Sequence, residues 1–179
     1  MMNLHQWRRA PIGMGRWRRW LTDHGSLTQR LRSHCQTFRV QRLRQATGLP
    51  FRDEVESLHL RRNRNALIRE VLLLCGDAPL VFAHTVIPFD GLRGPWQRLA
   101  GLGNQSLGAT LFANPRVERF PLEYSRLTAQ DPLFRNAARH LIVRPLSLWA
   151  RRSLFALDGH RIQVSEVFLP SVLELGRAP

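Results

Sequence analysis

The sequence predicts an α+β domain built on a single six-stranded antiparallel sheet. Three observations predict it: short apolar or alternating segments recur along the chain, tight turns join most of them, and helical segments are grouped between them. With 179 residues, of which 44% are apolar and 22% charged, the chain fits one domain with a sizeable core. We therefore expect residues 1–179 to form a single domain.

An N-terminal extension over residues 1–20 is basic and rich in tryptophan. It lacks the apolar core and the cleavage site of a secretory signal. Residues 14–21 are predicted to form a short basic helix with Trp17, Trp20 and Leu21 on one side. An arginine–tryptophan helix of this kind packs on its own domain more often than it binds a membrane.

A capping-box pattern marks the next helix, with Ser26 at the N-cap and Gln29 three residues later. This helix is expected over residues 27–35. Alternation of apolar and polar residues then predicts a strand over 37–44. Residues 51–60 fit neither a helix nor a strand clearly.

Two hairpins are predicted to provide four further strands. In the first, residues 66–75 and 80–88 flank a turn of Gly, Asp, Ala and Pro, and apolar residues on both faces indicate a sheet covered on both sides. In the second, residues 149–157 and 161–169 are joined through an Asp-Gly turn, which is a strong hairpin signal.

The segment between the two hairpins is predicted to be mostly helical. A short helix is expected over 95–99, and Ser106 is the predicted N-cap of another. A strand over 117–127 contains a proline, so it belongs at an edge or a bulge. A helix is expected over 132–140.

Charge is the strongest compositional signal. The chain has 27 basic residues, all of them arginine, and 13 acidic residues, which leaves a formal net charge of +14. Such a charge attracts nucleic acids, membrane surfaces and anionic metabolites alike, so it does not identify a partner by itself.

Cysteine usage and motifs exclude several classes of site. Cys35 and Cys75 are the only cysteines and have no metal-ligand spacing, which argues against a zinc site and against a disulfide scaffold and fits a reducing cytoplasm. The chain has no P-loop, no dinucleotide-binding glycine motif and no serine-hydrolase or zinc-protease motif. We therefore expect no metal and no cofactor.

Charged residues inside apolar strands are the best candidates for chemistry. Arg69 and Glu166 each alternate with apolar neighbours, and Glu70 faces the opposite side from Arg69. A buried charge needs a partner. Arg69 and Glu166 could pair with each other, or they could line a pocket where arginine binds a carboxylate and glutamate acts as acid, base or hydroxyl acceptor. His84 lies in an apolar strand, where a core histidine is the more common case.

Two helix starts add a possible anion contact. Leu27 and Leu107 occupy the first helical positions after Ser26 and Ser106. Free N–H groups at a helix start favour an anion, and each leucine side chain would provide an apolar wall. Beside an inward-facing arginine, these starts would suit a small cyclic acid.

An ordered series of motifs resembles the chorismate pyruvate-lyase family. The series is SLTQRL, LIREVLLLC, AHTVIP, SLGATLF, LWARRS and SEVFLP, and it spans roughly residues 20–170. The resemblance implies a sheet with helical flaps that cover a buried ligand pocket. It also implies a cofactor-free lyase that converts chorismate into 4-hydroxybenzoate and pyruvate, the first committed step of ubiquinone biosynthesis. We expect a cytoplasmic monomer, and a closed pocket predicts inhibition by the product.

The resemblance also implies roles for individual residues. Arg69 corresponds to the arginine that holds the ring carboxylate, and Glu166 to the carboxylate near the ring oxygen. Leu107 and Leu27 correspond to flap positions that contact the ligand. Arg69 and Glu166 are therefore the predicted catalytic residues. The segment 126–146 is longer than in the shortest members of that family, so the resemblance implies a surface insertion there.

One position departs from the family pattern. His84 stands where the family has an arginine. If that arginine binds the second carboxylate of the substrate, a protonated His84 would have to replace it, or Arg151 or Arg152 would. His84 is therefore a weaker candidate for substrate binding.

Two other functions stay open at this point. A non-catalytic sensor of small aromatic acids can have the same fold, but such regulators carry a DNA-binding module ahead of the sensor, and only some twenty residues precede the matched region here. A basic nucleic-acid-binding protein is supported by the charge alone, since no aromatic platform or recognition helix is evident.

Overall fold

A computed structural model of the chain describes residues 7–10 and 12–175. Its strands are β1 Phe38–Gly48, β2 Ala66–Cys75, β3 Ala78–Pro88, β4 Glu118–Arg119, β5 Glu123–Thr128, β6 Ser147–Leu157 and β7 His160–Phe168. Its α-helices are α1 Arg18–Leu21, α2 Leu27–Ser33, α3 Arg52–Ser57, α4 Phe89–Leu92, α5 Leu107–Ala113 and α6 Pro132–Ala138. Short 3₁₀ segments are Gly15–Trp17, Gln97–Gly101 and Pro170–Glu174.

The strands form one antiparallel sheet in the order β1-β2-β3-β7-β6-β4, with β5 also paired to β6. The α+β prediction is therefore confirmed. The sheet has seven strands and not six, because the strand predicted over 117–127 is interrupted around Pro121 into β4 and β5. Proline has no N–H to donate to a neighbouring strand, and both short pieces pair with β6.

Both predicted hairpins are confirmed. The turn between β6 and β7 has φ angles of 50° at Asp158 and 80° at Gly159, the positive pair that a two-residue hairpin turn requires. The β2–β3 pair contains a register shift between Leu73 and Leu74. This β-bulge decides which side chains of β3 share a face with those of β2.

The sheet is covered on both faces, as predicted. We call the face that carries Arg69 the front and the face that carries Glu70 the back. Front-face clusters contain helix residues of α1, α2 and α5, namely Trp20, Leu21, Leu27, Leu31, Leu107 and Leu111. A back-face cluster contains residues of α6, namely Leu133, Phe134, Ala137 and Ala138.

The helix caps at Ser26 and Ser106 are confirmed. Ser26 Oγ accepts a hydrogen bond from the Gln29 N–H at 3.4 Å, and Ser106 Oγ accepts one from the Ala109 N–H at 3.5 Å. The ambiguous segment 51–60 contains the short helix α3. Among the described residues, no helix is long and apolar enough to cross a membrane.

Two predicted surface segments contribute to the core. Trp20 and Leu21 are 1% and 0% exposed, so the helix near the N-terminus packs on its own domain. Residues 1–6 and 11 of the predicted extension lie outside the described part of the chain. The predicted surface insertion 126–146 needs a correction, because α6 within it packs into the back-face core and residues 142–146 form its longest largely exposed stretch.

A disulfide joins Cys35 and Cys75, whose Cα atoms are 5.8 Å apart. Cys35 follows α2 and Cys75 ends β2, so the bond ties the α2 region to the sheet across 40 residues of sequence. The cysteine count and spacing argued against a disulfide scaffold. One cross-link beside an extensive apolar core is not such a scaffold. The bond nevertheless restricts the unfolded chain and so adds to the stability of the fold.

Candidate active site

A cavity lies on the front face of the sheet, under the first turns of α2 and α5. Side chains of the central strands form its floor, and both helix starts cover it. Its polar and charged lining residues are Thr28, Arg69, Thr85, Ser106, Arg119, Arg151, Ser153 and Glu166. The predicted residues Arg69, Glu166, Leu27 and Leu107 therefore meet at one site.

Arg69 is a buried cation that has no acidic partner among the described residues. It is 2% exposed, and its Nη2 donates to the carbonyl oxygens of Gly103 at 3.2 Å and Gln105 at 2.8 Å. Its Nε has no hydrogen-bond partner within the described part of the chain. Burial, with a contribution from the nearby charge of Arg42, lowers the pKa of Arg69, but an arginine stays protonated at neutral pH. A buried guanidinium with an unused N–H is well suited to bind an anion.

Glu166 is paired with Arg151 and not with Arg69. Arg151 Nε donates to Glu166 Oε2 at 2.5 Å, and the two residues are directly opposite in the β6–β7 pair. The Glu166 side chain is 18% exposed and lines the cavity. Its Oε1 accepts no hydrogen bond from any described residue, so this oxygen is available to a ligand.

Arg119 is a third guanidinium at the cavity. Its Nε donates to Ser153 Oγ at 3.3 Å and its Nη1 to the carbonyl oxygen of His24 at 2.5 Å. The guanidinium also lies 5.2 Å from the ring centre of Phe112 and 5.4 Å from that of Phe155. Burial and the neighbouring Arg151 lower the pKa of Arg119, which is the response of a cation held near another cation.

The cavity therefore has an excess of positive charge. Its ionisable lining residues are three arginines and one glutamate, which leaves a net charge of +2. The remaining floor is apolar, formed by Val71, Leu73, Ala83, Val164 and Phe155. β3 separates β2 from β7, and Glu166 is level with Val71, two residues along β2 from Arg69, so the backbones of Arg69 and Glu166 lie about 12 Å apart across the sheet. The chemistry of this lining fits a small ring that carries two negative charges.

The first turns of α2 and α5, which we call the two flaps, meet above the cavity. Thr28 in α2 and Ser106 at the start of α5 share a hydrogen bond of 2.7 Å between their hydroxyl oxygens, and both residues are buried. A Cβ at Gly108 would lie 3.4 Å from Thr28 Oγ1, so glycine permits this close approach. With the flaps joined in this way, a ligand in the cavity would be covered.

The structure corrects the prediction for His84. Its side chain is on the back face, away from the cavity, because the β-bulge at Leu73 and Leu74 places His84 opposite Glu70 and not opposite Arg69. His84 Nδ1 lies 3.0 Å from Glu70 Oε1, and its Nε2 lies 3.1 Å from Glu54 Oε1. His84 therefore belongs to a buried ion-pair cluster and does not contact a ligand in the cavity.

The electrostatics of this cluster favour a charged imidazole. Burial alone would lower the pKa of His84, but Glu54 and Glu70 outweigh burial and raise it to about 9. Burial alone would raise the pKa of Glu70, but its hydrogen bonds with His84 and Asn136 outweigh burial, so the pKa of Glu70 is lowered. Glu54 and Glu70 thus compensate the charge of His84 inside the fold, and the core histidine is the interpretation that the structure supports.

The neighbouring arginines of the LWARRS motif separate to opposite faces. Arg151 lines the cavity, whereas Arg152 lies on the back face with Asp53 at 2.8 Å and Glu123 at 2.8 Å. Alternation along a strand requires this division. Sequence reasoning named Arg151 without choosing it over Arg152 and did not find Arg119, whose short strand carries no motif.

The family model described as chorismate lyase matches residues 12–175 of the chain. A protein from Nitrosospira multiformis, named probable chorismate pyruvate-lyase, is 51% identical over 174 residues, covering 96% of this chain and 97% of that protein. A protein of the same name from Nitrosomonas europaea is 47% identical over 166 residues, covering 93% and 92%.

Solved structures with a similar fold include transcriptional regulators and an effector domain. The effector domain of PhnF from Mycobacterium smegmatis has a TM-score of 0.56 at 15% identity, covering 90% of this chain and 92% of that one. A GntR-family regulator from Bacillus cereus also has a TM-score of 0.56, at 12% identity, covering 80% and 99%. At these identities the likeness concerns the fold alone. The family match over nearly the whole described chain, with relatives near 50% identity, shows that this chain belongs to the chorismate lyase family.

Proposed function

We propose that the protein is a chorismate lyase that converts chorismate into 4-hydroxybenzoate and pyruvate. The observation that carries the proposal is the net charge of +2 in a covered, largely apolar cavity, because chorismate is a cyclic dianion. Family membership and the names of the relatives support the same assignment. The pathway role would be the supply of the aromatic ring for ubiquinone biosynthesis.

The reaction requires little from the protein beyond orientation and one proton transfer. The bond from the ring to the enolpyruvyl oxygen breaks, and the neighbouring ring carbon, which bears the hydroxyl, loses its proton. The ring electrons close to an aromatic system, and the released enolpyruvate takes up a proton to become pyruvate. Aromatisation supplies much of the driving force, so holding the reacting bonds in alignment is the main task.

Arg69 is the proposed anchor for the ring carboxylate. Its free Nε and its buried position allow a charge-assisted hydrogen bond in a site of low polarity. The same guanidinium already donates to Gly103 and Gln105, in the loop that leads to α5. These hydrogen bonds would therefore couple substrate binding at Arg69 to the position of the flap at the start of α5.

Arg119 and Arg151 are the proposed partners of the enolpyruvyl carboxylate. They approach the cavity from the β4 and β6 side of the sheet, away from Arg69. As this carboxylate departs with pyruvate, nearby cations stabilise the negative charge that develops on the leaving group. This assignment removes the need for His84 to bind the second carboxylate.

Glu166 is the proposed acceptor for the ring hydroxyl and for the ring proton. Its Oε2 is held by Arg151, so the pair fixes the carboxylate at the cavity and leaves Oε1 for a ligand. A carboxylate held in this way can act as a general base if the proton lies within hydrogen-bond reach.

The test is chorismate turnover, followed by the appearance of 4-hydroxybenzoate in a coupled absorbance assay. We expect wild-type turnover and a loss of at least about 100-fold in kcat for Glu166→Gln, with binding of 4-hydroxybenzoate retained. Glu118→Gln is the matched control, because Glu118 is exposed on β4. Absence of turnover by the wild-type protein would refute the lyase assignment, and full activity of Glu166→Gln would remove Glu166 from the chemistry.

The non-catalytic sensor predicted as an alternative shares the fold with the regulators described above. The relatives near 50% identity carry the lyase name over almost their whole length, which supports the enzyme over the sensor. A sensor would bind 4-hydroxybenzoate without consuming chorismate, so the same assay separates the two.

A further inference from the structure

An apolar loop projects from the protein after α6. It comprises residues 142–146 and presents Ile142, Val143 and Leu146 with exposures of 105%, 79% and 95%. Exposed aliphatic side chains are common singly, but three within five residues form a concentrated apolar tip. The part of the same segment that precedes the loop is buried, so the fold holds the base of the loop in place.

Arginines surround this loop. Arg139 follows α6, Arg144 lies within the loop, and Arg126 donates from Nε to Ser147 Oγ at 2.8 Å, directly after the loop. All three are exposed. The side chains of Arg139 and Arg144 form no ion pair or hydrogen bond with any residue that the structure describes.

The surrounding sequence contains no opposing charge. From residue 132 to residue 157 the chain has no aspartate and no glutamate. Of the five arginines in this range, Arg151 and Arg152 are ion-paired inside the fold, which leaves three near the loop in sequence. The last acidic residue before the loop is Asp131, and the next is Asp158. The loop is therefore an apolar tip within a segment of uniformly positive charge.

We propose that the 142–146 loop docks the protein on the surface of an anionic lipid bilayer. The aliphatic side chains would enter the boundary between headgroups and acyl chains, while Arg126, Arg139 and Arg144 contact lipid phosphates. This docking is peripheral, and it does not depend on the reaction proposed above.

A protein partner fits these observations less well. A five-residue tip is far smaller than the roughly 20–30 residues per side of a stable protein interface. A symmetric contact between two copies would also bring the same arginines face to face, where like charges repel. An anionic bilayer accommodates both the small apolar tip and the unpaired cations.

The experiment is co-sedimentation of the full chain with lipid vesicles at moderate ionic strength. We expect binding to vesicles of equal parts phosphatidylcholine and phosphatidylglycerol, and little binding to phosphatidylcholine alone. The triple variant Ile142→Ser/Val143→Ser/Leu146→Ser should bind at least about tenfold more weakly, because it removes the inserted apolar groups. Leu49→Ser is the control, since Leu49 is 60% exposed elsewhere on the surface.

A second pair of variants separates local charge from net charge. Arg139→Gln/Arg144→Gln should weaken binding by about fivefold for each arginine removed. Arg61→Gln/Arg62→Gln changes the net charge equally at two exposed positions away from the loop, so it should have a much smaller effect. Equal loss in both double variants would show non-specific attraction and would overturn the proposal.

Insertion can be read directly from Val143→Cys carrying an environment-sensitive fluorophore, since the native cysteines are joined in a disulfide. Its emission should shift to the blue with phosphatidylglycerol vesicles. Unchanged emission, or sedimentation of the triple serine variant equal to wild type, would overturn the proposal. A wild-type protein that is dimeric, together with a triple variant that is monomeric and no vesicle binding by either, would also overturn the proposal, because the loop would then mediate self-association.

Discussion

Arg151 and Glu166 occupy directly opposed positions in the β6–β7 pair, and their side chains meet at 2.5 Å in the floor of the cavity. The same guanidinium donates from Nη1 to the carbonyl oxygens of Trp20, Leu21 and Asp23. Arg151 therefore joins the carboxylate of the site to the C-terminal end of α1. One side chain serves both the site and the attachment of the N-terminal helix.

Arg151→Met should lower both stability and activity. The variant leaves Glu166 without its partner and three carbonyl groups without a donor, so the free energy of unfolding should fall by about 3 kcal/mol. Turnover of chorismate should fall by at least about 100-fold, since the carboxylate loses its orientation. Urea unfolding and the coupled assay measure the two effects. Arg98→Met, at an exposed position, should change neither, and a fully active Arg151→Met would contradict the assigned role.

The His84 cluster predicts a decrease in stability at alkaline pH. The pKa of His84 is about 9 in the folded protein and 6.5 as an ordinary value. The folded state therefore holds the proton more tightly, and this contribution is fully present below pH 6.5 and is lost as pH rises through about 9. The shift corresponds to roughly 3 kcal/mol.

Unfolding of wild type and His84→Gln across this pH range measures the contribution. The wild-type free energy of unfolding should decline towards pH 9, whereas the variant should start lower and lack this decline. His24→Gln, at an exposed position, should follow the wild-type curve. Parallel curves for wild type and His84→Gln would show that His84 does not hold the extra proton.

The hydrogen bond between Thr28 and Ser106 predicts slow product release. Thr28→Val removes this bond while keeping the side-chain shape, so flap opening should become easier by about 1 kcal/mol, or roughly fivefold. Stopped-flow dissociation of 4-hydroxybenzoate should be faster by that factor, and product inhibition should weaken. Thr47→Val on β1 is the matched control, because Thr47 is exposed. An unchanged dissociation rate would mean that this bond does not limit opening.

The disulfide predicts a large contribution to stability. Closing a loop across 40 residues of sequence restricts the unfolded chain, so Cys35→Ser/Cys75→Ser should lose about 2–4 kcal/mol in urea unfolding. Reductant should destabilise the wild type by a similar amount and leave the double variant unaffected. Two freely titratable thiols in the native protein under oxidising conditions would contradict the pairing.

The strand pattern alone identified Arg69 and Glu166, because a charge in an apolar row is conspicuous at a period of two. The partner of Glu166 also has a signal in the sequence. A two-residue Asp158-Gly159 turn places residue 157 opposite 160, and counting back along both strands places Arg151 opposite Glu166. The hairpin register therefore predicts the Arg151–Glu166 pair, which the motifs alone do not.

The family resemblance placed His84 at the ligand, whereas its position in an apolar strand indicated a core histidine, and the structure supports the second interpretation. A regular hairpin with Cys75 opposite Ala78 would place His84 opposite Arg69, on the cavity face. The bulge at Leu73 and Leu74 adds one residue to β3, which moves His84 to the back face. The extra residue is Leu80, directly after Pro79, and this proline is the sequence signal for the bulge, because proline cannot donate to the neighbouring strand and is common at bulges.

Arg119 had no local signal because it belongs to a two-residue strand beside a proline-interrupted segment. Its approach to the cavity depends on the pairing of β4 with the far end of β6. Similarly, the Cys35–Cys75 pair depends on where α2 ends relative to β2. Both features arise from contacts between segments that are distant in sequence.

Adjacent residues of β2 carry opposite charges to opposite faces, with Arg69 at the cavity and Glu70 beside His84. A slip of β2 by one residue would exchange the two side chains between the faces. The Glu70 carboxylate would then enter the arginine-rich cavity, and the Arg69 guanidinium would leave the carbonyl groups of Gly103 and Gln105 for the space beside the His84 cation. The ligand site would lose its anchor and gain an acid in one step. The two buried clusters therefore both favour the native alignment of β2. A substitution in the His84 cluster on the back face would weaken this preference, and it would lower the fraction of molecules in which Arg69 faces the cavity.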